Sequence, residues 1–236
     1  MTTPTPGIRL DWRFRLQSAC GVGRRPWENR VFQEEKHLMA GKLRLAFLVV
    51  AVALASAACS YPVAALDIGE AAPDWSGAVG VDDKQHSLSD YADAKLVVLV
   101  FTCNHCPVAK AYEDRLIALQ DDYKAKGVQV IAVNVNNLPA DRLDKMKERA
   151  AAKGFTFPYL YDATQKMGRD YGATCTPHAF VVGKARKIVY MGAIDDSMNA
   201  GKVKKDYMRD ALDALLDGKD PPEAQTRQFG CSIKWD

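Results

Sequence analysis

The most strongly patterned stretch of the chain is residues 95–102, KLVVLVFT. Such an unbroken β-branched and aliphatic run suits a strand buried on both faces. A second run of this kind, GVQVIAVNV, follows at residues 127–135. Between them Val108, Tyr112, Leu116, Leu119 and Tyr123 recur at helical spacing, which predicts an amphipathic helix over residues 106–125. LPADRLDKMKERAAAKG predicts a charged helix ended by Gly154. FPYLYD then reads as a short strand and TQKMGRDYG as a short helix closed by Gly172. HAFVVG and RKIVYMG read as two strands joined by a turn at residues 183–186. KKDYMRDALDALLDG predicts the last strong helix, with Tyr207, Leu212, Leu215 and Leu216 on one side. Upstream, residues 66–94 alternate short apolar and turn-forming stretches, the pattern of a hairpin with a Gly/Asp-rich bend. This order is β-α-β-α, then an antiparallel pair and a final helix. It predicts an α/β fold with a central mixed sheet, helices on both faces and an N-terminal hairpin extension. No internal repeat or low-complexity linker divides residues 66–236, which read as one domain.

Composition changes the picture only at the N-terminal end. Of the 236 residues, 48% are hydrophobic and 26% charged, the profile of a globular protein. The formal net charge of +3 arises in the leader: residues 1–65 carry nine Lys/Arg against four Asp/Glu, leaving 23 against 25 in the rest. A nucleic-acid binder would keep its basic excess in the folded part, so nucleic acid is not an expected partner. From Met39, Lys42 and Arg44 form a short basic region, and residues 45–59 are uncharged. Val63, Ala64 and Ala65 then suit a signal-peptidase site. Residues 39–65 thus read as a signal peptide, or else as a membrane anchor through residues 45–66. Lipid attachment at Cys59 is disfavoured by Ser56, which stands where a large aliphatic residue is usual. Either way the folded part is expected to be exported. Residues 1–38 lack apolar periodicity and read as a non-native or disordered leader, with translation starting at Met39.

Of six cysteines, Cys20 and Cys59 fall in the leader, which leaves Cys103, Cys106, Cys175 and Cys231. Residues 101–110 read FTCNHCPVAK, placing two cysteines where a buried strand ends and a helix begins. A helix N-terminus favours an anion, and a thiolate is the nucleophile of disulfide exchange. Cys103 is therefore expected to be an activated thiol of lowered pKa, with His105 adding positive charge when protonated. Cys106, one turn on, is placed to close a disulfide with it.

A strand, then Cys-x-x-Cys opening a helix, and much later TCTPHAFVV, resembles the thioredoxin superfamily. The long N-terminal hairpin, KGVQVIAVNVN, FPYLYD, the Ile194–Asp195–Asp196 triplet and the ending GCSIKW are more similar to its redoxin and peroxiredoxin-like (AhpC/TSA-related) branch, a group that includes exported proteins. The resemblance spans about residues 67–235. It implies a thioredoxin-like fold, a cis bond between Thr176 and Pro177 lying against the active cysteines, and thiol–disulfide exchange with protein disulfide or dithiol substrates. A redox partner then resets the pair, no dissociable cofactor or metal is needed, and the location is periplasmic or on the outer face of the inner membrane. Two positions depart from thioredoxins, where Trp precedes the first cysteine and a basic residue follows the second; here Thr102 and Pro107 stand there. His105 resembles the histidine of periplasmic dithiol oxidases, leaving the direction of electron flow open.

Two rival activities draw on the same residues. A thiol peroxidase of the peroxiredoxin type uses Thr-x-x-Cys-Pro, but Cys103 or Val100 occupies the threonine position in the two registers, and no Arg is clearly placed. A copper-binding chaperone would recruit Cys103, Cys106, His105 and His178, with a cysteine spacing one residue too short. Cys175 and Cys231 are expected to form a structural disulfide pinning the tail to the proline loop; the alternatives are two buried free thiols, or exchange between Cys175 and the active pair. His37 and His86 receive no role. Asp195 and Asp196 read as a solvated turn, and Trp75 and Trp235 as packing groups.

Overall fold

The computed structural model describes residues 66–236. The expectations for the leader, namely the start at Met39, the signal or anchor and the two leader cysteines, lie outside the described residues. Among those described, no helix is long and apolar enough to cross a membrane.

The described part begins with strands β1 (Ala78–Gly80) and β2 (Gln85–His86), the expected hairpin, and a 3-10 turn at Leu88–Tyr91. Then come β3 (Leu96–Phe101), α1 (Pro107–Lys124) and β4 (Val128–Asn134). A 3-10 turn, Pro139–Asp141, precedes α2 (Leu143–Lys153), followed by β5 (Tyr159–Tyr161) and the five-residue α3 (Lys166–Asp170). Strands β6 (Cys175–Thr176), β7 (His178–Val182) and β8 (Ile188–Gly192), helix α4 (Tyr207–Leu216) and strand β9 (Cys231–Ser232) complete the order. The stretch from Leu138, expected to be one helix, is broken: Arg142 is extended at φ −70° and ψ 158°, so the 3-10 turn and α2 are separate. That break is what delivers Asp141 to the site described below.

The main sheet runs β2-β1-β5-β4-β3-β7-β8. β3, β4 and β5 are parallel, and β7 and β8 add antiparallel strands at one end. β3 sits inside the sheet, and all six of its residues are buried. Because successive side chains alternate, Leu96, Val98 and Val100 join one core with Tyr112 and Leu116 of α1, Met146 of α2 and Leu212 of α4. Val97, Leu99 and Phe101 join the opposite core with Trp75, Leu88, Met167, Tyr171 and Ile233. That second face is covered by residues 66–94, α3 and the tail, so among the described residues the long helices lie on one face and the five-residue α3 on the other.

The tail from residue 217 onward is built into this face. Thr226 Oγ1 accepts from the Ala193 amide at 3.0 Å, and a Cβ on Gly192 would run into the Thr226 backbone. Ile233 is buried, the Lys234 amide donates to Asn136 Oδ1 at 2.7 Å, and Gln165 Nε2 donates to the Lys234 carbonyl at 2.8 Å. β9 pairs antiparallel with β6, with Cys175 opposite Ser232 and Thr176 opposite Cys231.

Candidate active site

β3 ends at Phe101, and residues 102–106 carry the chain from the sheet edge into α1. Cys106 is the N-cap of that helix and Pro107 its first residue, where the missing N–H costs nothing. The Ala109 amide, an orphan donor of the helix, donates to Cys106 Sγ at 3.4 Å, whereas Cys103 meets the Cys106 and His105 amides of the loop before the helix. Cys103 Sγ lies 3.1 Å from Thr176 Oγ1, and Cys106 Sγ lies 3.4 Å from the Thr176 carbonyl oxygen. The Thr176–Pro177 peptide bond is cis. The threonine expected from TCTP thus touches both sulfurs, one through its side chain and one through its backbone.

The loop between the cysteines is held by a residue that sequence reasoning missed. Asp141, fully buried, accepts from the Asn104 amide at 2.7 Å, from the His105 amide at 3.3 Å and from Asn134 Nδ2 at 3.2 Å. Its other oxygen binds His105 Nδ1. Asn104 Nδ2 donates to the Ala140 carbonyl at 2.9 Å, and the Tyr159 hydroxyl donates to Asn104 Oδ1 at 3.0 Å. A buried carboxylate is tolerated because it collects donors in this way. The geometry therefore turns the His105 ring toward Asp141 through its Nδ1. Nothing in LPADRLD marks its first aspartate as different from the second; the signal is the proline-led break in the helix, visible only in three dimensions.

The expectation that Cys103 has a lowered pKa is overturned. Burial pushes its thiol up, and the Asp141 charge adds to that, against the opposing Thr176 hydroxyl and the Cys106 and His105 backbone amides. Only 2% of Cys103 is exposed, so desolvation of the thiolate outweighs the helix terminus. Position at a helix start favours an anion only where the sulfur itself meets the free N–H groups, and here the N-cap is Cys106.

The expected Cys175–Cys231 disulfide is also corrected. Cys231 is joined to Cys106, across a Cα–Cα distance of 6.0 Å, so the disulfide expected between Cys103 and Cys106 is not closed here either, and among the described residues Cys103 and Cys175 are free thiols. The register explains the change: Cys231 faces Thr176, and side chains on adjacent strand positions point to opposite sides. Cys175 is turned away, its Sγ 3.6 Å from the Pro177 carbonyl. The tail is indeed pinned to the proline loop, but from the active-site side. Cys103, Cys106, Ala109, Val108 and Cys231 form one small cluster.

Ligand atoms of Cys103, His105 and Asp141 lie within 4.8 Å of one another. His178 is not among them: it lines a separate pocket of about 150 Å³ with Tyr171, Met191 and Thr226, its Nδ1 has no partner among the described residues, and burial pulls its pKa down to about 4. Asp195 is no solvated turn residue. It is buried, accepts from the Tyr112 hydroxyl at 2.8 Å and pairs with Arg115, which also donates to the Ser197 and Met198 carbonyls. Trp75 is buried as a packing group, whereas Trp235 remains 39% exposed and lies under the Arg169 guanidinium.

A strand-to-helix cysteine loop set against a cis-proline, on a mixed sheet of this order, defines a protein of the thioredoxin superfamily. Within it, residues 67–207 match the Redoxin family model, and the chain belongs to that family. A solved structure of a conserved protein from Geobacillus kaustophilus is 40% identical, with a TM-score of 0.68 over 72% of this chain and 93% of that one. The thiol:disulfide interchange protein HelX of Rhodobacter capsulatus is 28% identical over 131 residues, covering 55% of this chain and 66% of HelX. The thiol-disulfide oxidoreductase ResA of Bacillus thuringiensis is 29% identical over 157 residues, covering 63% of this chain and 87% of ResA.

Proposed function

We propose that the protein is an exported thiol–disulfide oxidoreductase in which Cys103 is the attacking sulfur and Cys106 the resolving one. The observation that carries this reading is the seating of both sulfurs on Thr176, beside the cis-proline, at 3.1 and 3.4 Å. The activities named for HelX and ResA agree with it. In the reductive direction, Cys103 loses its proton and attacks one sulfur of a substrate disulfide. The new bond joins Cys103 to the substrate, and the second substrate sulfur leaves as a thiolate. Cys106 then attacks Cys103, closing Cys103–Cys106 and releasing the reduced substrate. The same steps run backwards oxidise a dithiol. The Thr176 hydroxyl and the His105 and Cys106 amides offset part of the desolvation of the Cys103 thiolate. Asp141 and His105 position the loop that presents Cys103. A protein dithiol or disulfide is the substrate, a second redox protein resets the pair, and the location is periplasmic or membrane-anchored on the outer side.

The test is reduction of insulin disulfides by the full chain. Wild type should be active and Cys103→Ser inactive, while Cys175→Ser retains activity. Full activity in Cys103→Ser overturns the assignment. Hydrogen-peroxide consumption, run on the same proteins, should stay at the background rate, since the guanidiniums of Arg115 and Arg149 are held by Asp195 and Glu113.

A further inference from the structure

We infer that Cys231 is a third redox thiol, which takes the disulfide over from the Cys103–Cys106 pair and is delivered by a tail seated where a substrate strand would pair. This inference rests on the reading of Cys103 and Cys106 just given. Three observations carry it. Cys106 is bonded to Cys231, and Cys103 stays a thiol in the same small cluster. The free edge of Cys175–Thr176, directly before the cis-proline, is occupied by the chain's own Cys231–Ser232, paired antiparallel with Cys231 opposite Thr176. And Gly230 brings the tail backbone so close that a Cβ there would lie 2.6 Å from the Thr176 carbonyl carbon and 3.1 Å from the Pro177 nitrogen. A tail held only for stability has no need of a cysteine aimed at the buried sulfur of a redox pair.

The exchange balances without an external oxidant. Cys103, as thiolate, attacks Cys106 Sγ; the Cys103–Cys106 bond forms, the Cys106–Cys231 bond breaks, and Cys231 leaves as a thiolate that takes a proton from water. The proton released by Cys103 goes to solvent, and the oxidation level of the protein is unchanged. In reverse, Cys231 attacks Cys106 and frees Cys103 for substrate. Cys231 is half-buried, whereas Cys103 and Cys106 are buried, so the tail carries the oxidising equivalent toward the surface. A substrate strand and the tail compete for one edge, which makes Cys231 an internal substrate.

The test uses the oxidised full-length chain, acid-quenched, alkylated and mapped by mass spectrometry. Both Cys106–Cys231 and Cys103–Cys106 linkages should be found. Being isomers at one oxidation level, they should hold a constant ratio across glutathione buffers of different poise. Protein isolated with Cys106–Cys231 closed and raised from acid to pH 8 without added thiol should redistribute to that ratio. The inference is overturned by absence of the Cys106–Cys231 peptide from wild type and from Cys103→Ser, or by a Cys106–Cys231 bond that never redistributes. Insulin reduction read on the same samples separates the two claims. Loss of activity in Cys103→Ser without a Cys106–Cys231 linkage removes only the third thiol; retained activity removes the underlying reading.

Discussion

Replacing Gly230 with alanine tests how the tail is held. The added methyl would lie 2.6 Å from the Thr176 carbonyl carbon and 3.1 Å from the Pro177 nitrogen, and closer still to the Thr176 oxygen. All three are backbone atoms next to the two active sulfurs, so no flexible side chain can give way. Overpacking of this kind costs about 1–3 kcal/mol. Residue 230 lies in neither the main sheet nor its two cores, although Phe229 and Ile233 on either side pack against them, so the strain shifts the balance toward a β9 lifted off β6. At about 1.4 kcal/mol per tenfold change, the docked tail should become ~5- to 150-fold less populated relative to the lifted one. Peptide mapping of oxidised Gly230→Ala should therefore show Cys103–Cys106 in place of Cys106–Cys231. Hydrogen exchange of the Ile233 amide, which donates to the Thr174 carbonyl at 3.3 Å, should accelerate by a similar factor. An unchanged disulfide distribution together with unchanged Ile233 protection would show that the tail is not held by this close approach.

Two further predictions follow from buried ionisable groups. His178 has its pKa pulled from 6.5 to about 4 by burial, so the unfolded chain binds its proton first as pH falls. The folded state should lose up to about 3 kcal/mol between pH 6.5 and pH 4 from this group, a loss complete only below the folded value. Urea midpoints of wild type and His178→Phe over that range should diverge, with the wild type falling more steeply; parallel curves contradict the burial of a neutral ring. For Asp141→Asn, removal of a charge that pushes the Cys103 pKa up should move iodoacetamide alkylation of Cys103 in the reduced protein to lower pH. In wild type that alkylation should still be rising above pH 9. A variant profile shifted to higher pH would show that Asp141 acts mainly through a protonated His105.

Much of this was legible in the chain. The run at residues 95–102 and the repeat from Val108 to Tyr123 announced β3 and α1, because long patterned segments are fixed by burial alone. TCTP signalled the cis-proline through its resemblance to a known arrangement, and both cysteines stand where the strand-to-helix transition placed them. What failed was whatever depends on contacts between distant segments. Asp141 is one aspartate among many until the break at Arg142 aims it under the Asn104 and His105 amides, 36 to 37 residues away. Cys231 and Cys175 are equivalent as letters; only the β6–β9 register decides that Cys231 faces the active site. The direction of the Cys103 pKa went astray for the same reason, since sequence shows proximity to a helix start but not the depth of burial.

Every step proposed for the site turns on Cys103 being the sulfur that meets the substrate. The most direct measurement is adduct mapping on full-length Cys106→Ser/Cys231→Ser, in which neither neighbouring sulfur can resolve an intermediate. After incubation with oxidised glutathione at pH 8, a stable mixed disulfide should form on Cys103, found by peptide mass and absent from the same variant carrying Cys103→Ser. A Cys103 that stays unmodified while Cys175 is labelled would contradict it.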